Sequence, residues 1–237
     1  MSTMIPRPHR PDILYPDSDG QPMADNTLQF EYIVTIKGGL EAQFIEDPNV
    51  FIAGDLLWYP VEGQPTIRVA PDILAAFGRP KGYRGSYKQW EEGGIPPQVV
   101  MEIRSPGNRF SEMLRKFHFY EQYGVEEYYL YDPDMGTLEG WLRHNEELRE
   151  IASMAGWVSP RLQVRFELAA GVLKLYHPDG RPFASYVELE KQRTAAEVQL
   201  QTTQAQAEQE RRDREAAQAQ AARLAAQLRA LGIEPEV

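Results

Sequence analysis

The sequence predicts an α/β domain: a mixed central β-sheet flanked by helices, with extra β-hairpins and a long C-terminal helix. Three observations predict it. Short apolar runs bounded by Pro, Gly and Asp read as strands, two stretches with helical spacing fall among them, and the last fifty residues are strong helix formers.

Each element follows in order. Residues 1–24 hold five prolines plus Asp17, Ser18, Asp19 and Gly20, and read as an irregular arm. Asp25-Asn26 offers an N-cap for a helix carrying Phe30, Ile33, Val34, Leu40 and Phe44, with Gly38-Gly39 weakening its middle. Val50 to Ala53 and Leu56 to Tyr59 are strand material, and Ile67 to Val69 leads into Pro71-Asp72-Ile73-Leu74. A basic, glycine-broken loop spans Gly78 to Gly94. Gln98 to Arg104, between Pro97 and Ser105-Pro106-Gly107, is valine-rich and suits an internal strand. Ser111-Glu112 opens a helix with Leu114, Phe117 and Tyr120 on one side, and Gly124 ends it. Tyr128 to Tyr131 is another strand, stopped by Asp132-Pro133, and Leu138 to Tyr186 reads as hairpins.

The composition changes near Leu189. From Lys191 to Val237 the chain is rich in Ala, Gln, Glu and Arg, without aromatics, and Gly232 with Pro235 gives a stop signal. The expected organisation is therefore an arm over 1–24, an α/β domain over 25–190 and a helical tail over 191–237. Ala217, Ala221, Leu224, Leu228 and Leu231 alternate in steps of four and three, a heptad seam. Traced backwards the seam meets Arg214 and Glu210, so it reads as good for about two heptads. A solvated single helix and a self-associating coiled coil, with a homo-oligomer as its product, both fit.

The 237 residues include 35 acidic and 25 basic ones, for a formal net charge of −10. The tail contributes seven of each sign, so the whole excess lies in residues 1–190. That balance argues against a passive DNA-coating protein, whose affinity runs on Lys and Arg contacts to phosphate. With no cysteine, disulfide scaffolds, thiolate zinc sites and thiol catalysis are excluded, and a reducing, cytoplasmic setting is expected. Met1 to Asp12 lacks the apolar segment of a signal peptide, and no apolar run is long enough to span a membrane. The four histidines have no i+3 or i+4 histidine partner, which speaks against a histidine metal site.

Two acids stand out. Glu102 interrupts Val-Val-Met-Glu-Ile, where burial is expected, and Asp72 follows Pro71 at a strand end. One reading has both carboxylates converging on a hard divalent cation, magnesium or manganese. In the other, Glu102 is salt-bridged and Asp72 begins a turn. The loop cations Arg79, Lys81, Arg84 and Lys88 alternate with Tyr83, Tyr87 and Trp90. Such a set can hold phosphates and stack on bases, or simply cover an apolar edge.

The wider pattern resembles the PD-(D/E)XK nuclease superfamily and, within it, the Uma-type restriction-endonuclease family. The residues carrying the likeness are Pro71-Asp72 with Glu102-Ile103-Arg104-Ser105-Pro106-Gly107-Asn108-Arg109 about thirty positions on. Ala53 to Pro60, Arg79-Pro80-Lys81-Gly82 with Gly85-Ser86-Tyr87, Lys116 to Tyr120 and Tyr123 to Tyr129 also match, as does the tail ending Leu231 to Pro235. The likeness runs from about residue 25 through nearly all of the chain. It implies a restriction-endonuclease-like fold and magnesium-dependent hydrolysis of DNA, with manganese as a substitute ion. Asp72 and Glu102 take the place of the metal ligands, with the Ile103 carbonyl as a third. Glu41 is similar to the additional acid on the first helix, and Lys116 resembles a migrated catalytic lysine. Arg104 stands in the usual lysine position; always charged, it can hold a phosphate but cannot act as a base. That departure keeps a second reading open, a non-catalytic nuclease fold used for binding or assembly through its tail. The acidity predicts weak, salt-sensitive DNA binding unless Arg79 to Lys88 concentrates positive charge at the cleft.

Overall fold

In a computed structural model of the chain, residues 13–18, 20 and 24–230 are described. Most of the arm, and the tail positions Leu231, Gly232 and Pro235, lie outside them. The chain divides into two compact units, Met1–Ser185 and Tyr186–Val237.

The first unit opens with α1 (Thr27–Gln43), capped by Asn26, whose side chain accepts a hydrogen bond from the Gln29 N–H at 2.8 Å. The two glycines do not interrupt it. A Cβ at Gly39 would stand 2.2 Å from the Phe183 ring, so glycine is there for close packing. β1 (Val50–Gly54), β3 (Ile73–Phe77), β5 (Val99–Ile103), β6 (Glu127–Asp132), β7 (Thr137–His144) and β8 (Glu147–Glu150) form one sheet in the order β1-β3-β5-β6-β7-β8. All neighbours are antiparallel except β5 and β6, which α2 (Phe110–Gln122) connects as a crossover. β2 (Trp58–Tyr59) pairs parallel with β4 (Tyr87–Lys88), and β9 (Arg165–Ala169) with β10 (Val172–Tyr176) forms a hairpin.

Strand alternation sorts the core into two layers. Ile73, Ala75, Val99, Met101 and Ile103 pack with Ile33, Ile36 and Leu40 of α1 and with Phe166, Leu173 and Leu175 of the hairpin. Leu74, Ala76, Val100 and Tyr128 face the other way, against Tyr120 of α2 and against Trp58 and Tyr87. Trp58 and Tyr120 lie with their ring planes 1° apart at 6.4 Å.

Three expectations shift. The strand expected over Leu56 to Tyr59 shortens to two residues. Asp72 precedes its strand rather than ending one. Leu114 is largely exposed, because Met113 and Tyr120 carry the buried side of α2.

The second unit contains α3 (Tyr186–Ala230), about 68 Å long at 1.5 Å per residue. It begins before the composition shift and buries none of its side chains. Among the described residues no helix is long and apolar enough to cross a membrane.

Candidate active site

β3 and β5 run antiparallel with Ile73 opposite Met101, so one further step sets Asp72 opposite Glu102. Glu102 is in phase with Val100, which turns its side chain toward α2 rather than α1. Both acids are buried, at 7% and 2% exposure, yet both reach the wall of a cleft of about 790 Å³.

Their partners come from three elements. Lys116 of α2 donates from Nζ to Glu102 Oε2 at 2.8 Å, and Tyr120, one turn on, donates its hydroxyl to Oε1. The Ile103 N–H donates to Asp72 Oδ2 at 2.7 Å. From α1, the Gln29 amide nitrogen donates to the Ile103 carbonyl at 3.0 Å and approaches both Asp72 oxygens at 3.4 and 3.5 Å. Its amide oxygen accepts from the Asp25 N–H at 2.8 Å, which fixes its orientation. The connection after β5 is also held: Ser105 donates its N–H to Asn108 Oδ1 at 2.9 Å and its hydroxyl to Asp25.

One lysine serves two buried acids, and the electrostatics reflect the shortfall. Burial, then the neighbouring Glu102 charge, push the Asp72 carboxyl from its usual 3.8 up to about 8, against the opposing pull of Lys116. At Lys116 burial is the largest influence and disfavours the charged form. Glu102 and Asp72 together outweigh it, so its pKa rises and the ammonium persists. Burial and Glu102 hold the Tyr120 hydroxyl well above its usual range, so it remains a donor.

A hard divalent cation fits this set. Magnesium is bound through one or two carboxylates, with water and substrate phosphate supplying other oxygens. Here two carboxylates line an open cleft, next to the Ile103 carbonyl that Gln29 holds, and the protein alone stabilises the charge on Asp72 so poorly that the acid keeps its proton. Among the described residues no group of three or more His, Asp or Glu side chains could hold a metal ion, so an ion here would rest on the two acids with backbone, water and phosphate oxygens.

Other candidates lie elsewhere. Glu41 is three turns beyond Gln29 on α1, about half exposed, and pairs with Lys37 at 2.7 Å. The buried side of α1 is Gln29, Ile33, Ile36 and Leu40, so the residue reaching the acids is an amide, not the expected glutamate. Arg104 donates to Asp132 at 2.9 Å. The loop cations are engaged locally. Arg79 binds the Glu92 carbonyl at 2.9 Å, and Lys81 donates to the Phe44 and Ile45 carbonyls at the end of α1. Arg84 makes a bidentate pair with Glu92 at 2.5 and 3.1 Å, with its guanidinium 3.9 Å from the Phe51 ring centre. Lys88 meets Glu91 at 3.4 Å. None of these five lines the cleft; the cations that do are Arg68, Arg115 and Lys116, beside His118. Arg79, Lys81, Arg84, Lys88 and Arg104, the cations expected to meet nucleic acid, therefore stand outside this cleft.

Sequence reasoning also passed over Gln29, Tyr120 as a polar group, and Asp55. Asp55 lines the cleft at the end of β1 with φ +48°, its N–H donating to the Asp72 carbonyl at 3.2 Å. Its signal was the Gly54-Asp55 turn; for Gln29 it was the helical spacing to Ile33 and Ile36.

A mixed sheet with helices on both faces, and two acids at adjacent strand ends beside a lysine, define a restriction-endonuclease-like protein. Residues 34–172 match the model of the Uma2 family, described as "Putative restriction endonuclease", and the chain belongs to that family. No curated protein matches it. Among solved structures it is similar to "a putative nuclease belonging to DUF820 from Anabaena variabilis ATCC 29413". That likeness has 13% identity and a TM-score of 0.44 over 58% of this chain and 75% of that one.

Proposed function

We propose that this chain is a magnesium-dependent endonuclease that hydrolyses phosphodiester bonds in DNA. The observation that carries this reading is the convergence of Asp72, Glu102 and Lys116 on one cleft wall. Asp72, Glu102 and the Ile103 carbonyl would hold the ion. When bound, magnesium or manganese lowers the pKa of a coordinated water and neutralises charge on the phosphate.

The chain's own groups supply the rest. Gln29 fixes the Ile103 carbonyl and Asp72 from the α1 side, and Tyr120 fixes Glu102 from beneath. Lys116 keeps its proton, so it is unsuited to removing one from water. Its role is to offset the charge that accumulates on the phosphate oxygens as water adds. Arg68 and Arg115, on the cleft wall, would hold the flanking phosphates.

The test is cleavage of duplex DNA with and without magnesium, comparing wild type with Asp72→Ala, Glu102→Ala and Lys116→Ala. The expected outcome is loss of cleavage in both acid variants and a fall of about 100-fold or more for Lys116→Ala. Cleavage surviving both acid substitutions rejects the site. Wild-type protein that binds manganese yet cleaves no DNA rejects the activity.

A further inference from the structure

The tail seam extends further than its apolar residues suggest. Continued back from Ala217 through α3, the same alternation of four and three passes Arg214, Glu210, Ala207, Thr203, Leu200 and Ala196. Only two of these positions are charged, and they are adjacent and of opposite sign. Within one helix they meet at 3.9 Å with both side chains more than 70% exposed, a geometry that contributes little.

The direction of pairing decides what those charges do. In a parallel, in-register pair each seam residue faces its own copy, so Arg214 would face Arg214 and Glu210 would face Glu210. In an antiparallel pair the two kinds of seam position face each other. One register, centred on Arg212, then places Glu210 of each chain against Arg214 of the other. Every remaining seam position of the overlap is uncharged in that register: Ala207 meets Ala217, Thr203 meets Ala221, Leu200 meets Leu224, and Ala196 meets Leu228. Sliding by one heptad either way separates Glu210 from Arg214 and leaves both charges against neutral residues. Beside the seam, Arg211 and Asp213 would approach their own copies. Within the chain they already have partners, Glu215 at 3.8 Å and Gln209 at 2.8 Å.

From this charge complementarity we infer that α3 binds α3 of a second copy as an antiparallel coiled coil centred on Arg212. The paired stretch covers about five heptads. The inference rests on α3 alone and stands or falls independently of the nuclease reading.

The chain has no cysteine, which makes the register directly readable. Leu200→Cys and Leu224→Cys full-length proteins, one carrying a size tag, are mixed while reduced and then oxidised. The antiparallel register yields the mixed disulfide and little of either symmetric one. Symmetric disulfides in preference to the mixed species overturn it in favour of parallel pairing. Sedimentation of the unmodified chain covers any failure of the variants: a dimer mass at micromolar concentration is expected, and a monomer mass overturns the proposal. Glu210→Arg should weaken the dimer about tenfold or more, and adding Arg214→Glu should restore it. A dimer indifferent to Glu210→Arg also counts against this register.

Discussion

Glu102 and Glu127 are both glutamates buried to 2% exposure, on neighbouring strands of one sheet, and they solve burial differently. Glu127 faces the α1 side of the sheet. Its carboxylate accepts from the Tyr129 hydroxyl at 2.8 Å, from the Arg161 N–H at 2.6 Å and from the Ser159 hydroxyl. These neutral donors tie the loop before β9 to β6 and leave Glu127 away from the cleft. Glu102 faces the other side, shares a lysine with a second acid, and reaches the cleft. A closed ring of neutral donors makes Glu127 a fastening. An acid pair short of positive charge, beside open space, is where the proposed cation would sit.

This contrast can be broken most severely at Asp72. Asp72→Asn should lower magnesium-dependent cleavage by about three orders of magnitude while leaving the denaturation midpoint unchanged or higher, since it removes an acid whose ionisation burial and Glu102 both disfavour. A large loss of stability would make Asp72 a fastening too. Glu127→Ala should do the reverse. It orphans three donors and should lower unfolding free energy by about 3 kcal/mol in a denaturant titration, with cleavage per folded molecule near wild type.

A smaller effect lies in the pH dependence of the metal-free protein. The Asp72 carboxyl titrates near 3.8 when unfolded and about 8 when folded, so between those values the folded state holds a proton that the unfolded state has released. Its contribution to stability is complete below about pH 4 and is lost as pH rises through about 8, by at most about 1.4 kcal/mol per pH unit. Asp72→Asn should flatten that part of a stability–pH profile; an unchanged slope would show that the acid is not held protonated. Smallest of all, Glu41→Ala should change stability by no more than about 0.5 kcal/mol and leave cleavage unaltered, because the residue only pairs with Lys37 on the surface.

The sheet and its helices were legible because burial writes itself into spacing. Val99 to Ile103, Tyr128 to Tyr131 and the Asn26 cap each carry a local signal that the fold leaves intact. Asp72 and Glu102 stood out as acids in apolar surroundings, and Lys116 through a family likeness. What the sequence did not disclose depends on three-dimensional partners. Gln29 is an ordinary helix residue until α1 is laid beside the end of β5. Glu41 has the right chemistry but sits outside the strip Gln29, Ile33, Ile36 and Leu40 that faces the sheet. The loop cations looked available because Glu92 and the end of α1, which engage them, are invisible as partners in a linear reading. The Gly38-Gly39 pair suggested a weak helix because nothing in the sequence places Phe183 against it.

The central claim, that Asp72 and Glu102 form a cation site rather than a fastening, is tested most directly by calorimetric titration of manganese into the full-length wild type, Asp72→Asn and Glu127→Gln proteins. The expected result is a saturable isotherm for wild type and for Glu127→Gln, tightening as pH rises because the ion displaces the Asp72 proton, and no isotherm for Asp72→Asn. A wild-type chain that takes up no manganese, or an Asp72→Asn chain that binds it as tightly as wild type, would contradict the account.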